Sequence, residues 1–175
     1  MQTVLILGAG LSSTSLIKYF LDNSHNQWKV RVGDIKLENA LERVNGHTNG
    51  EAFRFDVHDP DQRRKEVEQA SIVISMLPAR MHHLVAECCV ELARDMVTAS
   101  YLSPAIRALD SEARKIGIVL MNECGVDPGI DHMSAMQMIH KIREEGGELK
   151  AFESSTGGLV APGFENNPWK YKFTW

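Results

Sequence analysis

Over the first 120 residues, short apolar runs alternate with longer segments whose apolar residues follow a helical period. The runs are rich in Val, Ile and Leu, which is typical of strands covered on both faces. Strands separated by helical segments predict a parallel sheet with crossover helices, the α/β class. The predicted strands span residues 3–7, 28–32, 52–55, 71–75, 95–99 and 116–120, and the predicted helices span 12–21, 37–44, 60–69, 80–93 and 104–115.

The pattern changes after Gly125. Asp127 before Pro128 is typical of a helix start, and apolar positions then follow a helical period as far as Gly146. We expect a strand over 149–155, a loop over 157–167 and an alternating aromatic strand over 169–175. The chain therefore divides into a doubly wound domain over 1–126 and the start of an α+β domain over 127–175. We expect this second part to be incomplete, because an exposed aromatic strand needs a partner.

Composition narrows the class of protein. Hydrophobic residues make up 43% and charged residues 24% of the chain, and the net charge is −4. This balance is typical of a soluble globular protein, without the basic excess that binds nucleic acid. No apolar run reaches the ~18 residues of a membrane span, and no signal sequence is present, so we expect a cytoplasmic protein. The three cysteines are odd in number and show no metal-ligand spacing, so we expect reduced thiols and no metal.

Gly8, Ala9 and Gly10 directly follow the first predicted strand and open the first predicted helix. Glycines there let the backbone turn tightly and approach a pyrophosphate, whose charge the helix N-terminus stabilises. Ser13 stands where the dinucleotide fingerprint has its third glycine, and Ser12 and Ser13 offer hydroxyls to the phosphates. The loop predicts a Rossmann-type dinucleotide site; the alternative is a tight turn in another α/β domain.

Asp34 ends the second predicted strand, where a carboxylate can accept hydrogen bonds from ribose hydroxyls. Such a carboxylate repels a 2′-phosphate and no arginine stands beside it, so NAD(H) is favoured over NADP(H) as the cofactor, although Lys36 can pair with a phosphate. The alternative leaves Asp34 solvated. Asp56, after the third strand, either faces the adenine or belongs to a surface turn, and Leu77, after the fourth, is placed to pack on the dinucleotide.

A second group of polar residues follows the fifth and sixth predicted strands, where open parallel sheets bind ligands. It comprises Ser100, Tyr101 and the segment 122–132, which reads NECGVDPGIDH. Tyr, Asp, Cys and His can manage the proton of an amine or imine nitrogen during hydride transfer. Purely structural roles remain open as alternatives: Asp127 can cap a helix, and Tyr101 can cover a loop. The histidine pair 82–83 begins a predicted helix and is expected to be exposed.

Longer strings resemble a known family. They read VTASYLSP over 97–104, MNECGVDPGIDHM over 121–133, GGLVAP over 157–162 and NNPWKYKFTW over 166–175. In this order they resemble the glutamate-forming saccharopine dehydrogenases, also called saccharopine reductases. Strings of this length, spread over nearly the whole chain, are far more specific than a glycine loop.

The resemblance implies a two-domain, NAD(P)-dependent oxidoreductase of lysine metabolism that is a homodimer when full length. Its reaction joins aminoadipate semialdehyde to glutamate through a secondary amine, reversibly. By position, Ser100, Tyr101 and Asp127 face this small-molecule substrate, and Tyr101 and Asp127 are the catalytic residues, Asp127 transferring a proton. The implied cofactor-binding residues are Gly8, Ala9, Gly10, Leu11, Ser12, Ser13, Asp34, Ile35, Asp56, Val57, Leu77, Ala99, Ser100, Val126 and Pro128.

The chain also departs from the family pattern. Thr156 stands where the family often has a cysteine, and Ile35 stands where NADPH-using members have an arginine. The family's substrate domain continues well past the aromatic strand. Two alternatives therefore stay open: a related reductive-condensation enzyme such as a carboxynorspermidine synthase, or a catalytically silent dinucleotide-binding fragment.

Overall fold

The fold is known from a computed structural model that describes residues 1–154. The chain divides into two units, Met1–Gly129 and Ile130–Trp175. The boundary predicted at residue 126 from the sequence remains a prediction. Within residues 1–154, no helix is long and apolar enough to cross a membrane.

The first unit contains a six-stranded parallel sheet with the order β3-β2-β1-β4-β5-β6. This order places a switch point between β1 and β4, because β1 begins a series that runs outward to β3 and β4 begins one that runs the other way to β6. The prediction of a Rossmann-type doubly wound sheet is confirmed. The strands are β1 Gln2–Leu7, β2 Trp28–Asp34, β3 Gly50–Arg54, β4 Ile72–Ser75, β5 Asp95–Thr98 and β6 Leu120–Met121.

Helices cover both faces of the sheet. Alternate residues of β1 explain why: Val4 and Ile6 belong to one apolar cluster with α1 and α2, and Leu5 and Leu7 belong to another with α3 and α4. The helices are α1 Thr14–Asp22, α2 Leu37–Val44, α3 Pro60–Glu68, α4 His82–Glu91, α5 Pro104–Arg107, α6 Asp110–Ile116 and α7 Ile130–Glu144. Single 3-10 turns, Leu11–Ser13 and Ala79–Met81, precede α1 and α4.

Side chains cap the starts of α3 and α5. The Asp59 side chain accepts hydrogen bonds from the N–H groups of Asp61 and Gln62, and Ser103 accepts one from Ile106. The predicted helix 104–115 is broken, however, because Leu109 N–H bonds to Ile106 at 3.0 Å and tightens the chain between α5 and α6.

The predicted strand 116–120 is wrong in its position. Ile116 ends α6, and Gly117 follows it in the left-handed conformation with φ 79°, its N–H bonding to the carbonyl of Ala113. The sixth strand consequently begins only at Leu120.

The second unit differs from the prediction in two ways. Helix α7 begins at Ile130, three residues after Asp127, and residues 149–154 form no strand. The predicted loop over 157–167 and the predicted aromatic strand over 169–175 lie outside the described residues.

An ion pair fixes α3 against the sheet. Helix α3 buries only Glu66 and Val67, so apolar contact contributes little to its docking. Arg31 on β2 pairs with the Glu66 carboxylate, and the two side chains are only 12% and 6% exposed. The guanidinium also reaches Glu51 at 3.0 Å and lies 4.8 Å from the ring centre of Phe53.

Replacing Glu66 with Gln is expected to lower the free energy of unfolding by about 3 kcal/mol, because it leaves a mostly buried guanidinium without its buried partner. Urea denaturation measures the change. The matched control is Glu112→Gln, which breaks an exposed pair with Lys115 and is expected to cost less than about 0.5 kcal/mol. Equal losses of unfolding free energy in Glu66→Gln and Glu112→Gln would contradict the conclusion that the Arg31–Glu66 ion pair fixes α3 to the sheet.

Candidate functional site

The glycine loop begins with a residue that must be glycine. Gly8 adopts φ +104°, and a Cβ there would lie 2.6 Å from the carbonyl oxygen of Met76. Its N–H donates to the carbonyl of Gly33 at 2.8 Å. The loop is therefore packed tightly against the ends of both neighbouring strands.

Gly10 lies on the open side of the same loop. It has an extended backbone, with φ −70° and ψ −178°, and a Cβ there would meet nothing within 4 Å. Leu11 and Ser12 beside it are exposed, whereas Ser13 is fully buried and its hydroxyl donates to the Gly10 carbonyl at 2.7 Å. The Ser13 hydroxyl thus stabilises the loop, and its contact with a phosphate remains a prediction.

The carboxylate of Asp34 is held by three donors from the protein itself. One oxygen, Oδ2, accepts the N–H of Ala9 at 2.8 Å, and the other, Oδ1, accepts the N–H of Lys36 at 2.9 Å and the side-chain amide of Asn39 at 3.2 Å. Asp34 therefore links the end of β2 to the glycine loop and to the start of α2.

A cavity of about 630 Å³ opens at the carboxyl ends of β1 to β4. Its walls include seven of the residues predicted to bind the cofactor, namely Gly8, Gly10, Asp34, Ile35, Asp56, Val57 and Leu77. A second cavity of about 640 Å³ lies beside α5, α6 and β6, and none of the predicted cofactor-binding residues lines it. The first cavity is the candidate site.

Sequence reasoning missed five residues that complete its wall: Phe55, His58, Met76, Pro78 and Met81. They follow β3 and β4 directly, at the edge where doubly wound sheets bind ligands. Their position shortly after a strand could have identified them as cavity residues, because the same criterion identified Asp56 and Leu77.

The second predicted group lies outside this cavity. The hydroxyl of Tyr101, a side chain 65% exposed, donates to the backbone carbonyl of Asp127 at 3.4 Å. Ala99 and Val126 are exposed, and Ser100 and Pro128 are half-buried. The structure thus brings Tyr101 and Asp127 together, through the main chain of Asp127 rather than its carboxylate.

His82 was expected to be exposed, and this is wrong, because it is 2% exposed. Its Nδ1 lies 2.7 Å from Ser75 Oγ and its Nε2 lies 2.7 Å from Ser100 Oγ. Thr98 Oγ1 lies 3.4 Å from Nε2. The sequence did contain a signal for a buried polar side chain here. Ser75, Thr98 and Ser100 stand at the ends of two apolar strands, and buried hydroxyl groups need hydrogen-bond partners.

The sheet order, the glycine loop and the cavity define a Rossmann-type dinucleotide-binding domain. Residues 4–121 match the family model of the saccharopine dehydrogenase NADP binding domain, and residues 125–175 match that of the saccharopine dehydrogenase C-terminal domain. The chain belongs to the saccharopine dehydrogenase family.

Individual relatives agree with this assignment. The chain is 40% identical over 190 residues to the alpha-aminoadipic semialdehyde synthase of Arabidopsis thaliana, covering 98% of this chain and 18% of that protein. It is 37% identical over 174 residues to the NADP(+), L-glutamate-forming saccharopine dehydrogenase of Saccharomyces cerevisiae, covering 99% and 38%. The apo structure of the Saccharomyces cerevisiae L-Glu-forming enzyme matches with a TM-score of 0.83 at 38% identity, covering 100% of this chain and 39% of that one. The chain therefore spans well under half the length of these relatives.

The expected preference for NAD(H) is wrong. The matching family model is an NADP binding domain and the yeast relative is named for NADP(+). The expectation assumed that the Asp34 carboxylate faces the ribose. Three donors already hold that carboxylate, so an acid at this position does not by itself exclude a 2′-phosphate.

Two alanine substitutions separate the packing of the loop from its binding face. Gly8→Ala is expected to cost about 3 kcal/mol of unfolding free energy, because both its positive φ and the Met76 carbonyl oppose a Cβ. Gly10→Ala is expected to change stability by less than about 1 kcal/mol, because its backbone is permitted and its surroundings are open. The same Cβ would stand where we expect the loop to meet a pyrophosphate, so Gly10→Ala is expected to weaken NADPH binding at least about tenfold.

Chemical denaturation measures the change in stability. The change in nicotinamide fluorescence on titration measures NADPH binding. A Gly10→Ala variant that binds NADPH like the wild type would show that the open face of the loop is not the pyrophosphate site.

Proposed function

We propose that this chain is the NADP(H)-binding part of an L-glutamate-forming saccharopine dehydrogenase. The reaction condenses the aldehyde of aminoadipate semialdehyde with the amine of glutamate, releases water, and reduces the resulting imine to the secondary amine of saccharopine; it also runs in reverse. The observation that carries the proposal is the gathering of seven predicted cofactor-binding residues around one cavity, in a chain whose family model is an NADP binding domain.

The cavity suits the adenosine and pyrophosphate part of a dinucleotide. Gly10 leaves its backbone open to a pyrophosphate, and the first helical turns follow it immediately, so their N–H groups favour an anion there. Ile35, Val57 and Leu77 supply apolar walls for an adenosine. When bound, the dinucleotide supplies or accepts the hydride, and the chain's own residues bind and orient it.

Lys36 is the residue that we propose for the 2′-phosphate. It is exposed, occupies the N-cap position of α2 and follows Ile35, which lines the cavity. Its backbone N–H is held by Asp34, so the start of α2 is fixed beside the cavity while the ammonium group stays in solvent. The lysine ammonium group lies at the start of a helix, beside a carboxylate whose oxygens already accept hydrogen bonds, and can bind a phosphate there. We propose that Lys36 takes the role of the arginine that NADPH-using members of the family have at the position of Ile35.

Lys36→Gln is expected to raise the Kd for NADPH about tenfold and to change the Kd for NADH less than about twofold, because only NADPH carries the 2′-phosphate. Fluorescence titration of both nucleotides measures the ratio. Lys29→Gln is the matched control, since Lys29 is an exposed lysine near the opposite end of β2. Equal effects on NADPH and NADH place the phosphate elsewhere.

Outside the cavity, Ser100, Tyr101 and Asp127 are proposed to meet the substrate. Tyr101 and Asp127 are adjacent, and both are exposed to solvent. The condensation requires a group that takes a proton from the glutamate nitrogen and returns one to the departing water, and the Asp127 carboxyl group can do both. We propose that the Tyr101 hydroxyl orients the reacting nitrogen.

Binding and turnover test the function separately. The chain is expected to bind NADPH more tightly than NADH, with saccharopine altering the nicotinamide fluorescence of the complex. The natural protein that carries these residues is expected to oxidise NADPH only when aminoadipate semialdehyde and glutamate are supplied together. NADPH binding without turnover on this pair, but with turnover on another amine and aldehyde, supports a related reductive-condensation enzyme.

Cellular location and assembly follow as further proposals. We expect the protein in the cytoplasm, acting in lysine metabolism as a homodimer, although the Bos taurus relative is named mitochondrial. Cell fractionation and light scattering on the natural protein decide these two points.

A further inference from the structure

The imidazole of His82 uses both of its nitrogens inside the fold. A neutral imidazole has one N–H donor and one acceptor nitrogen, so of the two serine hydroxyls at 2.7 Å one donates to the ring and the other accepts from it. Burial lowers the pKa of His82, which keeps the ring neutral at pH 7. The orientation of the Ser100 hydroxyl is therefore coupled through the ring to that of Ser75.

The main chain of Ser100 is fixed on both sides. Its N–H faces Thr98 Oγ1 at 3.3 Å, and its carbonyl accepts the N–H of Glu123 at 2.9 Å. Rotation of the side chain is the freedom that remains, and the bond to His82 restricts it. Ser75 is 0% exposed whereas Ser100 is half-buried, so the three side chains lead from the interior towards the surface.

The position of Ser100 in the sheet indicates which part of a dinucleotide it meets. The wall of the cavity continues past the switch point to the residues after β4, but Asp34 and Asp56 lie at the ends of β2 and β3, on one side of it. Ser100 follows β5, on the other side. In a doubly wound sheet each half binds one half of the dinucleotide, so Ser100 belongs to the nicotinamide half when the adenosine occupies the cavity.

We propose that His82 is a positioning residue that fixes the Ser100 hydroxyl for contact with the nicotinamide ribose end of NADP(H). The inference rests on the proposed function, since Ser100 has this ligand only if the chain binds the dinucleotide. His82 acts through Ser100 and does not touch the ligand. A hydroxyl held in place before binding loses less freedom on binding, which favours affinity.

Two ligands distinguish this role from a general structural one. NADPH carries the nicotinamide ribose, and adenosine 2′,5′-bisphosphate lacks it. His82→Ala is expected to raise the Kd for NADPH about tenfold and to leave the Kd for the bisphosphate within about twofold. His82→Gln is expected to restore most of the NADPH affinity, because its amide also offers one donor group and one acceptor. Isothermal titration calorimetry measures both constants.

The neighbouring residue provides the matched control. His83 is half-buried on the same helix turn, and His83→Gln is expected to leave both constants unchanged. In a double-mutant cycle, adding His82→Ala to Ser100→Ala is expected to weaken NADPH binding no further, because His82 acts only through the Ser100 hydroxyl. The inference is overturned if His82→Ala weakens the binding of NADPH and of the bisphosphate by the same factor. It is also overturned if His82→Ala and the wild type bind NADPH with equal affinity. If the wild type binds no NADPH, the proposed function fails and this inference fails with it.

A measurement on the unsubstituted chain covers the case in which His82→Ala does not fold. The ¹⁵N chemical shift of His82 Nε2 is expected to change when NADPH binds and to stay constant with adenosine 2′,5′-bisphosphate, with the His83 resonances as internal reference. The inference is overturned if the ¹⁵N chemical shift of His82 Nε2 does not change in a sample that binds NADPH.

Discussion

The carboxylate of Asp34 is the constraint on which the candidate site depends. Three donors converge on it, one from the glycine loop, one from the start of α2 and one from the Asn39 side chain. Hydrogen bonds to a charged acceptor are stronger than those between neutral groups, so this one residue holds the loop, β2 and α2 in a fixed arrangement. The open face of Gly10 and the apolar wall around Ile35 follow from that arrangement. The acid that we expected to select the cofactor instead holds two walls of the cavity in place.

A second polar link lies on the other side of the switch point. The His82 ring joins the ends of β4 and β5 through two hydroxyls, much as Asp34 joins the end of β2 to the loop. Apolar contacts on both faces stabilise the sheet interior, but they do not determine where its carboxyl edge places polar groups. Directional hydrogen bonds in a partly buried setting do so, because a buried polar group without a partner is costly.

Strands in the middle of the sheet were predicted almost to the residue, because a strand covered on both faces leaves a continuous apolar run. The errors fall where local pattern and tertiary packing compete. Residues 116–120 are apolar enough for a strand, yet Gly117 ends a helix there, and residues 149–154 carry a strand pattern without forming one. Of the eight cavity residues after β3 and β4, only three were predicted, since position after a strand identifies the edge of the sheet but not which side chains turn inward.

The sequence by itself determined the fold class, the glycine loop and the family, because hydrophobic periodicity and long strings of residues are properties of the chain alone. Only the tertiary structure decided what the polar residues do. A sequence shows that Asp34 ends a strand and that His82 begins a helix, but it does not show which donors approach them. The Ala9 N–H that reaches Asp34 and the Ser100 hydroxyl that contacts His82 lie 25 and 18 residues away along the chain, and the parallel sheet brings them together. Partners so distant in sequence leave no local pattern.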